Sequence, residues 1–474
     1  MALLAGPFAL AFATGGFFDD PRSIAAAVAL ALVASAALTW SQPPLPSTGA
    51  GMAMLGGLAG LTAWTAISAA WAPDSDRAHD DLVRLLLYTA ALALASAAFP
   101  TERLRRAVEP LLAAGALVVI GYGLAGRLLP GIIELEASLS ANGRLEQPLT
   151  YWNAMGALAA FGFVLTARVA GDGTRAVWLR AAAATGAVPL ATGVYLSFSR
   201  GALGALAGGL VMLVVLAPER SQLRALGLCL GLGALASLAA SRFPGVEALE
   251  GDHPERDGAL VLAILTVLCT LVGALQARLA RAENAGRLGT DRVDLRVPRA
   301  VVAGSVVLLV VALVGVAAAL DQGSREEPRR GATAARFGDL GSARYDYWDV
   351  ALSEFAANPL GGVGSGGFEV SWFRERELDE VARDAHSLAF ETAAELGLVG
   401  LIMLLLFLAG AAFCARAAYE LAPALAAGPC AALVVWLIHA ALDWDWEMPS
   451  VTLPALVLAG LLAGAADPRR LASP

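Results

Sequence analysis

Three short stretches combine residue types that could handle an anion or a proton. Arg383-Asp384-Ala385-His386-Ser387 holds one of only four histidines and leads directly into an apolar block. An imidazole with an ordinary pKa of about 6.5 accepts protons near neutrality, and Asp384 stands where it could orient the ring. Leu196-Ser197-Phe198-Ser199-Arg200-Gly201 separates two apolar blocks and leaves Arg200 at a membrane edge with almost no loop around it. A guanidinium fork there suits phosphate oxygens, although a snorkelling interfacial arginine would look the same. The third is Arg344, at the start of a helical pattern that runs to the breaker pair Asn358-Pro359. A cation in a first turn opposes the helix dipole, a cost more natural with an anion or carboxylate nearby. In that helix Trp348, Leu352 and Phe355 recur at helical spacing and predict an amphipathic face on the bundle or the lipid surface.

Behind it, residues 359–368 contain a formal GxGxxG at Gly362, Gly364 and Gly367. No βαβ pattern surrounds it, which removes the dinucleotide reading, but successive N–H groups in a glycine turn can cradle phosphate. Metal chemistry has little support: there is no HExxH, no Cys/His ligand spacing and no GxSxG elbow. Asp252-His253-Pro254-Glu255 and Asp443-Trp444-Asp445-Trp446-Glu447 read as solvated outer turns, the second with an interfacial Trp anchor. Cys229, Cys269, Cys414 and Cys430 sit in or beside apolar blocks and read as small buried residues.

The elements that must position these residues are membrane helices. Of 474 residues 58% are hydrophobic and 16% charged, against about 25% charged in soluble domains. The apolar residues form fourteen blocks, many near the roughly 20 residues a bilayer core requires, at 2–18, 23–40, 51–71, 82–99, 107–129, 151–170, 177–198, 201–217, 223–240, 258–277, 300–320, 387–413, 424–442 and 451–466. With two short blocks able to re-enter, this predicts an all-α, polytopic transmembrane bundle of about 12–14 spans. One large outer loop, 321–386, would contain short helices between an N-terminal bundle (1–320, about 11 spans) and a C-terminal segment (387–474, about 3 spans). Block 2–18 lacks a basic leader and reads as a retained first span. Arg84, inside block 82–99, lies close enough to the outer edge to snorkel.

The formal charge is −8 and every basic residue is arginine, which argues against a nucleic-acid partner. Arginines concentrate in alternate loops: Arg103, Arg105 and Arg106; Arg168, Arg175 and Arg180; Arg220 and Arg224; Arg278 through Arg299; then Arg416, Arg469 and Arg470. By the positive-inside rule that side is cytoplasmic, with both termini, and the loop bearing His386 faces outward.

Taken in order, five pieces resemble the O-antigen ligase and O-antigen polymerase superfamily of bacterial membrane glycan transferases. They are Pro148 through Gly156, with Tyr151-Trp152-Asn153; Ser199-Arg200-Gly201-Ala202; Arg344 with Trp348 and Asn358-Pro359-Leu360-Gly361-Gly362-Val363-Gly364; Ala385-His386-Ser387 with Glu395-Leu396-Gly397-Leu398-Val399-Gly400; and His439 through Pro449. Ser387 departs from the pattern, in which Asn is commoner. The resemblance implies an enzyme of the bacterial cytoplasmic (inner) membrane. It would be a metal-independent glycosyltransferase, without cofactor, moving a glycan from an undecaprenyl-diphosphate carrier to a hydroxyl acceptor on lipid, protein or glycan at the outer face. On that reading His386 activates the acceptor, Arg200 and Arg344 hold the diphosphate, and Asn153, Trp348, Gly364, Asp384 and Glu395 contact substrate. The rival is a secondary transporter or flippase for a lipid-linked glycan. Such folds show repeated halves and midplane sites, whereas no repeat is evident here and the singled-out residues gather at one face.

Overall fold

The computed structural model describes residues 1–40, 43–293, 332, 344–376 and 380–467. Block 300–320, most of the loop before Arg344, and Arg296, Arg299, Arg469 and Arg470 lie outside the described residues. Among the described residues there are sixteen α-helices and no strand. In chain order they are α1 (Ala2–Ala11), α2 (Asp19–Thr39), α3 (Gly49–Ser68), α4 (Ser75–Ala95), α5 (Glu102–Leu128), α6 (Trp152–Gly171), α7 (Val177–Leu196), α8 (Arg200–Leu216), α9 (Arg220–Ala240), α10 (Pro244–Glu247), α11 (Pro254–Asn284), α12 (Arg344–Ala357), α13 (Phe368–Glu375), α14 (Leu388–Leu421), α15 (Pro423–Ala440) and α16 (Pro449–Ala465). Nine of them, α2, α3, α5, α6, α7, α9, α11, α14 and α15, are long and apolar enough to cross a membrane. The protein is a multi-pass membrane protein.

Polar residues start these helices where the chain enters the apolar blocks. Thr48, Asp74, Thr101 and Ser199 each accept from a backbone N–H of the first turn, the N-cap role these side chains perform. Block 2–18 is not one span: α1 has 10 residues, a rise of about 15 Å, and Gly15 and Gly16 at φ 72° and 75° turn the chain before α2. At the centre stands α6, buried from Asn153 to Gly171 and packed on α5, α7, α8, α9 and α15. Its glycines set the approach: a Cβ on Gly156 would lie 2.5 Å from Ser197 Oγ and 2.8 Å from Ala202, so the Arg200 segment seats directly on the first turns of α6.

The helices after residue 387 run into the same bundle, α14 along α3 and α16 against α1 and α4. Block 387–413 is a broken helix. Gly397 (φ 61°, ψ −158°) interrupts α14, and the glycine turn after α12 fills the breach. Val363 and Gly364 donate to the carbonyls of Ala394 and Glu395, Leu398 donates back to Pro359, and Trp64 Nε1 donates to Leu396 O at 2.9 Å. Broken backbone at membrane depth is tolerated only where protein satisfies it.

The loops sort into two ends. Residues 129–151, 197–199, 344–376, 380–387 and 441–448 share one, the His386 end. The arginine-rich loops share the other, where Arg175, Arg180 and Arg224 pair inward while Arg103, Arg220, Arg287 and Arg416 are exposed. Arg175 bridges Glu109 (3.0 Å) and Asp172 (3.1 Å), and Arg180, fully buried, meets Glu283 at 2.7 Å, as does Arg224. Arg84 likewise does not snorkel. It is 6% exposed and pairs with Asp81 (2.9 Å) and Glu447 (3.3 Å).

Candidate functional site

At the His386 end the turn between α15 and α16 is the hub. Asp443, 1% exposed, accepts at Oδ1 from the Tyr151 hydroxyl (2.7 Å) and the Trp444 amide (3.0 Å), and its Oδ2 takes the guanidinium of Arg344. Asn153 Nδ2 donates to the same Tyr151 oxygen at 2.7 Å. Burial opposes a charge on Asp443, but Arg344, His386 and His439 around it and the Tyr151 hydroxyl hold it below the usual carboxylate range. The dipole cost of Arg344 in a first turn is thereby met by a buried carboxylate.

His386 lies beside this pair. Its ring lies tilted against Tyr347, one turn along α12 from Arg344, with the centroids 5.0 Å apart, and stands 6.3 Å from the ring of Trp444. Nδ1 lies 2.9 Å from the Asp384 carbonyl oxygen, so Nδ1 carries the proton and Nε2 the lone pair. Burial pushes the imidazole below its ordinary value; Asp443 works against that shift and Arg344 with it. A ring held in this tautomer and neutral near pH 7 is chemically a base.

The backbone is held in unusual conformations at the same place. Thr150, Phe198 and His386 have φ of 61°, 49° and 53°, the left-handed region that side chains avoid at roughly 1–3 kcal/mol each. The first precedes Tyr151, the second precedes Ser199-Arg200, and the third is the histidine itself. Arg200 opens α8, and a Cβ on the adjoining Gly201 would lie 3.4 Å from His439 Nε2. His439, in the last turn of α15, is fully buried with Nδ1 2.6 Å from Asp445 Oδ2. Arg344 and His386 thus border the 443–447 turn, and the first turn of the helix that Arg200 opens lies against His439, one turn before it.

The remaining singled-out residues are placed as follows. Asn153 touches the hub through Tyr151. Trp348 stacks on Phe390 at 5.0 Å, but the buried face of α12 is Tyr347, Val350, Ala351 and Glu354. Leu352 is 48% exposed, so of the two placements expected for Trp348, Leu352 and Phe355 the bundle side is taken instead by the face whose Tyr347 packs on Trp372 and His386. Gly364 and Glu395 bind each other's segments: the Gly364 N–H is taken by Glu395 O, and Glu395 Oε1 accepts from the Phe368 amide at 3.1 Å. The Asp384 side chain turns away from His386. Its oxygens lie within 4.8 Å of those of Glu391 and Glu447, a spacing at which carboxylates share a cation or a proton. Burial raises Asp384 to about 7, with Asp81 and Glu369 adding to the shift and Arg84 and Arg77 opposing it. Arg84, paired to Glu447 and Asp81, already brings a positive charge to this group.

The 443–447 turn is not the solvated turn its composition suggested. Asp443, Asp445, Trp446 and Glu447 are all buried. Asp443, Tyr151, His439 and Asp445 therefore enter the site from the structure. The signal in the sequence was three acids within five residues between apolar helices, with His439 one turn before them.

No curated protein matches the chain. The family model described as O-Antigen ligase matches residues 255–405, a stretch that holds Arg344, the glycine turn, His386 and the break at Gly397. The chain is thus a multi-pass membrane protein that is similar to the O-antigen ligase family over residues 255–405.

Proposed function

We propose that the chain transfers a glycan from an undecaprenyl-diphosphate carrier to a hydroxyl acceptor, with the His386 end on the outer face of a bacterial cytoplasmic membrane and the arginine-rich end and both termini in the cytoplasm. The observation that carries the reading is the meeting of Arg344 and His386 around the buried Asp443. His386 Nε2 takes the acceptor proton as the acceptor oxygen bonds to the anomeric carbon. The bond from that carbon to the diphosphate breaks, and its electron pair leaves on phosphate. Arg344, oriented by Asp443, and Arg200, at the positive end of α8, stabilise that charge; fixed donors of this kind contribute a few kcal/mol. Asn153 acts through Tyr151, and Trp348 offers a ring to a sugar face. Gly364, Glu395 and Asp384 support the site through the broken helix and the loop before His386. Two guanidinium groups then stand where other transferases use a metal.

The experiment is turnover of a polyprenyl-diphosphate oligosaccharide by the reconstituted protein, with and without chelator, with host envelope extract as acceptor. We expect donor consumption, indifference to chelator, loss of product in His386→Ala with normal membrane insertion, and strong impairment in Arg200→Lys. Retained turnover in His386→Ala removes the base. A chelator-sensitive reaction would bring in the Asp384, Glu391 and Glu447 group as cation ligands. Donor that crosses the bilayer unchanged means a flippase.

A further inference from the structure

The Arg200 end of the site contains a buried nitrogen that the reaction above does not use. His439 is fully buried, its Nδ1 is committed to Asp445 at 2.6 Å, and its Nε2 has no hydrogen-bond partner among the described residues. Interiors rarely leave such a group unmet, because its desolvation then goes uncompensated. Nε2 and Cδ2 are the atoms nearest a Cβ placed on Gly201, both at 3.4 Å. The nitrogen therefore faces the first turn of α8, a 17-residue helix whose N-terminal dipole favours an anion. Ser199 Oγ accepts from the Ala202 amide there, at 3.2 Å.

We propose that His439 is a phosphate-binding residue: held by Asp445, it donates from Nε2 to a phosphate oxygen seated at the N-terminus of α8 beside Arg200. An imidazolium donates from both nitrogens, one here to the carboxylate and the other to the ligand. The nearby acids do not repel the anion, since Asp443 is taken by Arg344 and Asp445 by His439. The site accepts the terminal oxyanions of a polyprenyl diphosphate, and the inference rests on the reading of Arg200 as a diphosphate contact.

The test is binding of farnesyl diphosphate, with farnesol as the uncharged control, to the full-length protein in nanodiscs. The variants are His439→Gln, His439→Phe, Asp445→Asn and Arg200→Gln. We expect each to weaken the diphosphate about tenfold, as loss of one charge-assisted bond does, and to leave farnesol unchanged. Undiminished diphosphate affinity in both His439 variants, with Arg200→Gln still defective, overturns the role of His439 and leaves the proposed function standing. No diphosphate binding by the wild type, or binding indifferent to Arg200→Gln, overturns that reading and this one together. Should the His439 variants not fold, the wild type labelled with ¹⁵N-histidine carries the decision: farnesyl diphosphate must shift the Nε2 resonance of His439, and an unmoved resonance rejects the contact.

Discussion

At the scale of single residues, Asp443 decides how the site behaves because two functions converge on it. It fixes the Arg344 guanidinium, and its charge favours protonation of His386. Asp443→Asn removes the charge that holds Arg344, and misplacement of a catalytic group costs about 100-fold in rate; kcat should fall by that order while the protein still inserts. The pH profile supplies a sign. Burial already lowers His386 below 6.5, so the acid limb of kcat/KM should lie under the ordinary histidine range. Removing the Asp443 charge withdraws the influence that raises the histidine and leaves Arg344, which lowers it, so in Asp443→Asn the limb moves to still lower pH. A limb that moves up would remove Asp443 from the surroundings of the base.

At the scale of elements, the joint between the glycine turn and the broken α14 holds the loop that presents His386. Gly397 occupies a backbone region open essentially to glycine alone, and a Cβ there would lie 2.5 Å from the Leu360 carbonyl. Gly397→Ala should lower the unfolding temperature and the transfer rate together, while Gly204→Ala, with open space around it, should do neither. The acid group beneath the same loop gives a pH-dependent stability. Asp384 is raised from 3.8 to about 7 in the folded protein, so its contribution is fully present below about 4 and lost as pH rises through 7. Asp384→Asn cannot ionise. Its unfolding temperature should rise relative to wild type between pH 6 and pH 8.5, and a constant difference across that interval would mean that Asp384 does not titrate there.

At the scale of the whole molecule, the proposed orientation follows from charge. Single cysteines placed in a cysteine-free background at Leu139, 95% exposed at the His386 end, and at Arg287, exposed at the other, separate the two faces. A membrane-impermeant maleimide should label the first in intact cells and the second only after permeabilisation; the reverse pattern places the site in the cytoplasm. The four native cysteines are free thiols, two of them buried, which makes their removal a matter of packing alone. The arginines that predict this orientation are also structural, since Arg175 and Arg180 are buried in ion pairs with Glu109, Asp172 and Glu283. Removing one partner from such a pair costs several kcal/mol, so swapping those arginines to test topology would unfold the end being tested.

How much was legible in the chain depended on the range of the interaction. Block length and composition determined the membrane class, the helices and which loops share an end, because each depends on neighbouring residues meeting one apolar solvent. Arg200, Arg344 and His386 stood out individually because polar groups between apolar blocks are costly. Their arrangement was decided by tertiary structure. The Tyr151 to Asp443 bond joins residues 292 apart, and no local period connects them. The acids of 443–447 read as solvated because burial of a carboxylate depends on counter-charges that Arg84, Arg344 and His439 bring from other elements. The same holds for α14, whose length implied a continuous span. Only the donors of the folded glycine turn allow the backbone to break at Gly397 inside the bundle.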